Sequence, residues 1–290
     1  MAAACGILGV LGGCSTILGL EDPHPGDGSG DGGSVTDRLT LSLTDVRLAQ
    51  LQRARVRVTV VHLDGTMEDA TASATLESDN QAVAASSGPG QVDGGVQDGT
   101  ATITAKLSGA RPVTMKVTVT TKQCRPLINE FQTGGTTSAD EWVEIINPCT
   151  SAIDVTDWTL VYRGRTSTTD STLMVTLSGA LGPGEIKLFA GVDYAGANDG
   201  KWTLTSGIMG QTDGGVALRM GAKDQGPIAD SVAYGAVLTT GYLFTEGTPA
   251  AGMVNSRPAQ RQPFDGRDDD DNSMDFAQVT TGTPREPNAP

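Results

Sequence analysis

The chain has 290 residues, enough for about two ordinary domains, with 38 glycines, only 4% aromatic residues and a formal charge of −14. An acidic surface repels phosphate backbones, so nucleic acid is not expected as a partner, and electrostatic docking on anionic lipid is equally disfavoured. No run reaches the roughly 18–20 apolar residues of a membrane span. The abundance of Gly, Thr, Val and Ala, without a sustained i, i+3, i+4 apolar pattern, points to many short strands joined by tight turns.

The chain starts with a short apolar core, Gly6 to Leu11, followed by Gly12-Gly13-Cys14. Leu11-Gly12-Gly13-Cys14 resembles a bacterial lipobox. The resemblance implies that residues 1–13 are a signal peptide and that Cys14 is acylated and becomes the mature N-terminus. Two or three acyl chains would anchor the protein stably, where a single chain would not. Ser15 does not resemble an inner-membrane retention signal, so the expected location is the outer membrane or cell surface of a Gram-negative bacterium. No Lys or Arg stands among the first ten residues. Signal peptides usually start positive, so translation is expected to begin upstream of Met1. The alternative is a plain secretion signal or a frayed apolar N-terminus.

Residues 14–36 read as a tether. Over residues 21–36 almost nothing can be buried, and such a chain reaches roughly 20–25 Å root-mean-square. Gly28-Ser29-Gly30-Asp31-Gly32-Gly33 mimics a phosphate loop, but no strand pattern precedes it and no helix pattern comes after it.

Structure is expected from Arg38. Leu39-Thr40-Leu41-Ser42-Leu43 alternates with period two. Arg55 to Val61 does the same, with Val56, Val58 and Val60 on one face and Arg55 and Arg57 on the other. The turn dipeptide Asp64-Gly65 comes next, then strand candidates at 72–77, 82–85, 100–107 and 113–120. Their spacing suits a sandwich. Asp64-Gly65-Thr66, Asp69-Ala70-Thr71, Ala74 to Asp79, Ala82-Val83-Ala84 and Gly99 to Ala105 stand in order. This series resembles the group 2 bacterial immunoglobulin-like domain over residues 37–121, with Leu76 where the family usually has Trp. The resemblance implies a spacer or adhesive module without catalysis.

A second block starts at Cys124. Ile128-Asn129-Glu130-Phe131, Glu141 to Ile145, Leu181 to Glu185, Asp230 to Gly235, Asp275-Phe276 and Thr283-Pro284 together resemble the lamin tail domain over residues 124–288. The resemblance implies a second immunoglobulin-like sandwich that binds or assembles. The expected fold class is therefore all-β, with two immunoglobulin-like sandwiches in tandem after a signal peptide and a disordered tether. Lys122-Gln123 leaves almost no linker between them, which predicts a restricted inter-domain angle.

With Cys5 in the leader and Cys14 acylated, Cys124 and Cys149 remain. If Leu127–Phe131 and Trp142–Ile146 form a hairpin centred between Thr136 and Thr137, position i faces 273 − i. Phe131 then meets Trp142, and Cys124 meets Cys149, close enough for a disulfide in an oxidising compartment. The alternative is two reduced cysteines at strand ends.

With two histidines, His24 in the tether and His62 near a strand end, no His-based triad or tri-histidine metal site can be built. Glu130, Glu141 and Glu144 flank the hairpin and could serve as acid and base, but outward polar positions produce the same pattern, and the lamin-tail resemblance implies a structural hydrogen-bonding role for Glu130. Asp265, Asp268, Asp270 and Asn272 are candidate ligands of an irregular structural Ca²⁺ site. An EF-hand is excluded, because Ser273 stands where it needs Gly and Val279 where it needs Glu. The alternative is a solvated acidic loop. Trp142 and Trp158 sit in apolar strand patterns and read as core, whereas Trp202 comes after a turn and is a candidate ligand contact.

No enzyme is expected and no cofactor is required. The expected function is a non-catalytic, surface-anchored lipoprotein held to the membrane by its N-terminal lipid. It presents its modules for adhesion, scaffolding or binding of an extracellular or envelope protein or glycan. The alternative is a polysaccharide-binding accessory module using Trp202.

Overall fold

The computed structural model describes residues 37–170, 172–202, 204, 208–236, 242–254 and 256–288. The leader, the tether and Cys14 lie outside the described residues. The described chain is all-β apart from one short helix, Asn272–Asp275. Residues 36–290 form one compact unit, with two main apolar cores inside it.

In the first sandwich, one sheet has the order Ala110–Arg111, Asp37–Leu41, Val58–Val61, Met67–Asp69. The other has the order Asp45–Gln50, Val113–Gln123, Gly99–Lys106, Thr75–Ser78. Side chains alternate along the long strands. Ala101, Ile103 and Ala105 point inward on one, and Met115, Val117 and Val119 on its partner. Water covers the opposite face, as period-two patterning requires. Val56, Val58 and Val60 are buried, and Arg55 and Arg57 are exposed. This run is not one strand, however. Arg53–Arg55 pairs with Gln91–Gly94 in a small third sheet, and Val58–Val61 pairs with Asp37–Leu41. The chain changes sheets at Val56-Arg57, which keeps the alternation while changing the hydrogen-bond partner. The Asp64-Gly65 turn closes the next hairpin. Gly65 has φ +85°, and the Asp64 carboxylate accepts from the Thr66 amide and hydroxyl.

The second sandwich has a six-stranded sheet. Its order is Gly200–Lys201, Ile186–Ala190, Trp142–Ile146, Leu127–Gln132, Ala259–Arg261, Phe276–Gln278. A four-stranded sheet faces it, in the order Thr172–Thr176, Thr159–Arg163, Gly214–Arg219, Ile228–Tyr234. Here the central strands are buried along their whole length. Loops and the C-terminal segment cover the faces that water covers in the first sandwich.

The expected hairpin forms with one correction to its register. Leu127 faces Ile146 and Ile128 faces Ile145, as expected, but a bulge at Asn129 shifts the rest of the pairing by one residue. Phe131 therefore faces Val143, not Trp142. The physical reason is burial. Ile128 and Phe131 both belong to the core, and residues three apart on a regular strand would point to opposite faces, so one extra residue must intervene. The cysteines lie on the unshifted side of the bulge. The Cys124–Cys149 disulfide is present, with Cα atoms 5.6 Å apart.

The two sandwiches are joined by more than the chain. Phe264 belongs to the second sandwich by sequence, yet it packs in the core of the first and is 6% exposed. Gln52 pairs with Cys149 as a lone antiparallel bridge and donates from its side chain to the Gly266 carbonyl. The Arg53 amide donates to Pro148 O at 2.8 Å, and the Thr150 amide to Leu51 O at 2.9 Å.

Candidate functional site

The bulge projects Asn129 and Glu130 away from the core into a buried polar layer. Glu130 and Glu144 are cross-strand neighbours, both fully buried. Asp265 approaches from the loop after Phe264, and the Asn129 amide donates to Glu144 and to Asp265, each at 2.9 Å. The C-terminal segment closes the layer from above. Glu130 accepts from the Thr283 amide and hydroxyl, Glu144 from the Arg285 amide at 2.7 Å, and Asp265 from the Asn288 amide at 2.9 Å. Three carboxylates thus each hold one main-chain N–H of a segment without regular structure. Burial pushes the Glu130 carboxyl up to about 7 and that of Glu144 up to about 8, and raises that of Asp265. The donors oppose the rise, since each favours the ionised acceptor.

Glu141 is also buried and pushed up to about 7 by burial. Its two oxygens accept the amides of Ile208 and Met209 at 2.8 Å each. The three glutamates flanking the hairpin are therefore occupied by main-chain donors, and the outward, solvated arrangement weighed from sequence is not what forms.

A second polar layer centres on Arg261, whose side chain is fully buried. It holds Asp230 through two contacts of 2.8 and 3.0 Å, donates to Ile128 O at 2.6 Å, and stacks 4.6 Å from the Phe276 ring centroid. Asp275 lies 3.4 Å away. Burial works against ionising Asp268, but Arg261 and Lys122 outweigh it and hold that carboxyl below its ordinary range. Burial, and after it the nearby Asp230, push Glu246 up to about 9. A third layer pairs Arg163 and Arg219 with Asp170 at 2.7 and 2.6 Å, and both guanidinium groups lie against Phe244.

The four candidate calcium ligands do not share a focus. Asp265 serves Asn129 and Asn288. Asp268 and Asp270 grip Lys122, and Asp268 lies 3.5 Å from Arg125. Asn272 bonds main-chain groups of Ser231, Ala233 and Glu246. Nor is the loop wholly solvated, because Lys122 and Arg125, on the two sides of the joint, take up Asp268, and Lys122 also reaches Asp270. Asp230, Glu246 and Asp268 do place oxygens within 4.8 Å of one another. The Asp230 and Asp268 carboxylates of that trio already face the Arg261 guanidinium.

Trp202 requires a second correction. It is 2% exposed and packs in the main core of the second sandwich, so it offers no face to a ligand. The turn at Asp199-Gly200 sends the chain inward, and the large apolar indole goes with it. Trp142 is buried and Trp158 packs partly buried against the core. His62 sits at a hairpin end, 2.8 Å from Asp37, and that hydrogen bond raises its pKa.

No protein-family model and no curated protein matches the chain. Among solved structures, a DUF4876 family protein from Bacteroides thetaiotaomicron overlaps 85% of this chain and 96% of its own, at 9% identity and a TM-score of 0.41. Domains 5–6 of the S-layer protein SbsC overlap 69% of this chain and 96% of their own, at 17% identity and a TM-score of 0.28. The Yersinia pseudotuberculosis adhesin InvE overlaps 63% of this chain and 67% of its own, at 11% identity and a TM-score of 0.19. At these scores the likenesses define neither a fold family nor a function.

Glu130 takes the structural hydrogen-bonding role that its place in the lamin-tail motif implied, but the burial of the other charges was missed in the sequence, although a signal was there. Glu130, Glu144, Arg163, Arg219 and Asp230 all stand inside apolar strand patterns, where a charge needs a partner to be buried.

Proposed function

We propose that this protein is a non-catalytic, lipid-anchored envelope protein whose two sandwiches act as a single rigid module presented to an extracellular or envelope partner. The observation that carries the reading is Phe264 of the second sandwich, buried in the core of the first. A module that must hold a binding surface at a set orientation gains from such a plug, because a flexible joint would have to be ordered on binding. The carboxylates that could have worked as acid and base support the same reading. Glu130, Glu141 and Glu144 spend their oxygens on main-chain and amide donors that hold loops in place. The lipobox resemblance at Leu11 to Cys14 supports the anchor, and residues 14–36 supply the reach from the membrane.

Intact mass of the detergent-extracted protein tests the anchor. The expected result is a mature N-terminus at Cys14 with added acyl mass, which a Cys14→Ala change abolishes. A full-length, unacylated chain from the same extract overturns the reading.

A further inference from the structure

A cavity of about 450 Å³ opens at the seam between the sandwiches, within the size range of small-ligand sites. Its first wall is the stretch where the chain changes sheets, and it carries Arg55 and Arg57. Its second wall is built from Pro263, Phe264 and Asp265, with Pro287 and Asn288 of the C-terminal segment. Both walls are held. Phe264 is rooted in the first core, and Asp265 accepts the Asn288 amide at 2.9 Å. The walls of the cavity are therefore preformed, and only the exposed arginine side chains are left to order when it is occupied.

The charges in it are unequally engaged. Asp265 takes the Asn129 side chain and the Asn288 amide. Asp69 meets Arg57 at 3.7 Å, with both side chains more than half exposed, an arrangement that contributes little and exchanges readily. Arg55 makes no side-chain hydrogen bond or ion pair among the described residues, and acts on Asp265 only through space. One guanidinium is thus spare and a second is weakly held, on a chain whose net charge is −14. A guanidinium presents a planar fork that matches a carboxylate with two parallel bonds. The rest of the lining combines apolar faces, from Pro89, Pro263 and Pro287, with hydrogen-bonding groups such as Thr71 and Gln91. A fatty acid would require a continuous apolar wall. A sugar ring, with apolar C–H faces and hydroxyls around its edge, matches this mixed lining.

We propose that the seam cavity binds a carboxylated saccharide of the uronic-acid class, its carboxylate on Arg55 and Arg57 and its ring against the prolines. This goes beyond the anchored-module reading and does not depend on the lipid, so the Cys14 experiment and a saccharide titration fail independently.

The test is isothermal titration of the full chain with digalacturonate, using cellobiose as the neutral two-ring counterpart and inorganic phosphate as a ringless anion. Saturable binding of digalacturonate is expected, at least tenfold tighter than that of either control. Arg55→Ala should weaken it at least tenfold and Arg57→Ala by a smaller factor, with thermal melting unchanged in both because the side chains are exposed. Arg55→Lys should recover only part of the affinity, since it restores the charge without the fork. Undetectable digalacturonate binding, equal affinity for cellobiose or phosphate, or undiminished affinity in Arg55→Ala would each overturn the proposal.

Discussion

The two sandwiches solve the same problem by different means. In the first, strands alternate, one face is apolar and the other is wet, and Gln52 is the only buried polar side chain among its described residues. In the second, central strands are buried on both faces, and the second face is filled with ionisable groups: Glu130, Glu144, Asp170, Arg163, Arg219, Asp230 and Arg261. The contrast locates each domain's specificity. An alternating sandwich is held by non-directional apolar area, which tolerates exchanges of similar volume. The polar layers of the second accept one arrangement only, because each buried charge needs its own partner in place. The loops and C-terminal segment of the second sandwich are therefore part of its structural core.

The most severe test of this contrast is Arg261→Ala. It leaves Asp230 and Asp275 buried without their cation, a loss that typically costs about 3–5 kcal/mol. Denaturant unfolding should show the second sandwich lost or severely destabilised. A truncation in the first core such as Ile103→Val should cost only about 0.5–1.5 kcal/mol. Equal small effects from the two would mean that the charged layer is not what holds the second sandwich.

Phe264→Ala comes next. Truncating a buried phenylalanine costs about 3–5 kcal/mol in a full core, and here the lower end is expected because the side chain sits at the seam. The more telling outcome is in calorimetry. The unmodified protein should melt in one transition and the variant in two, one for each sandwich. A single unchanged transition in the variant would show that the domains are coupled by other contacts.

The smallest effect expected is a dependence on pH. Glu130 at about 7 and Glu144 at about 8 hold protons in the folded state that an unfolded chain, with carboxyls near 4.5, has already lost above pH 5. The folded state therefore binds more protons through this window, and stability must fall as pH rises from about 5 to 8. Melting temperature against pH should slope downward there, and Glu144→Gln should flatten the slope. An upward slope over that range would contradict the assignment. In the first sandwich His62, raised by its bond to Asp37, contributes stability that is present at acid pH and lost as pH rises through its folded pKa.

Much of the first sandwich could be read in advance. Val56, Val58 and Val60 face inward because a strand puts alternate residues on one face wherever its partner lies, and so the change of sheets at Val56-Arg57 left that reading intact. The disulfide was legible for a similar reason, since the hairpin arithmetic holds on the side of the bulge where Cys124 and Cys149 lie. The same arithmetic failed at Phe131. Two apolar residues three apart, Ile128 and Phe131, flanking Asn129-Glu130, were the mark of a bulge.

The all-β class, the alternating first sandwich, the Asp64-Gly65 turn and the cysteine pairing were all written in the amino-acid order, because each depends on neighbours along the chain or across one hairpin. The remaining features were settled by the assembled fold. Asp265, Asp268 and Asp270 could have held calcium or faced water, and Lys122, Arg125 and Asn129, more than 130 residues earlier in the chain, took them instead. Trp202 could have been exposed, and the core beside its turn had room for an indole. Burial and charge pairing are properties of the assembled surroundings, and those surroundings come from segments whose separation along the chain carries no information about their contact.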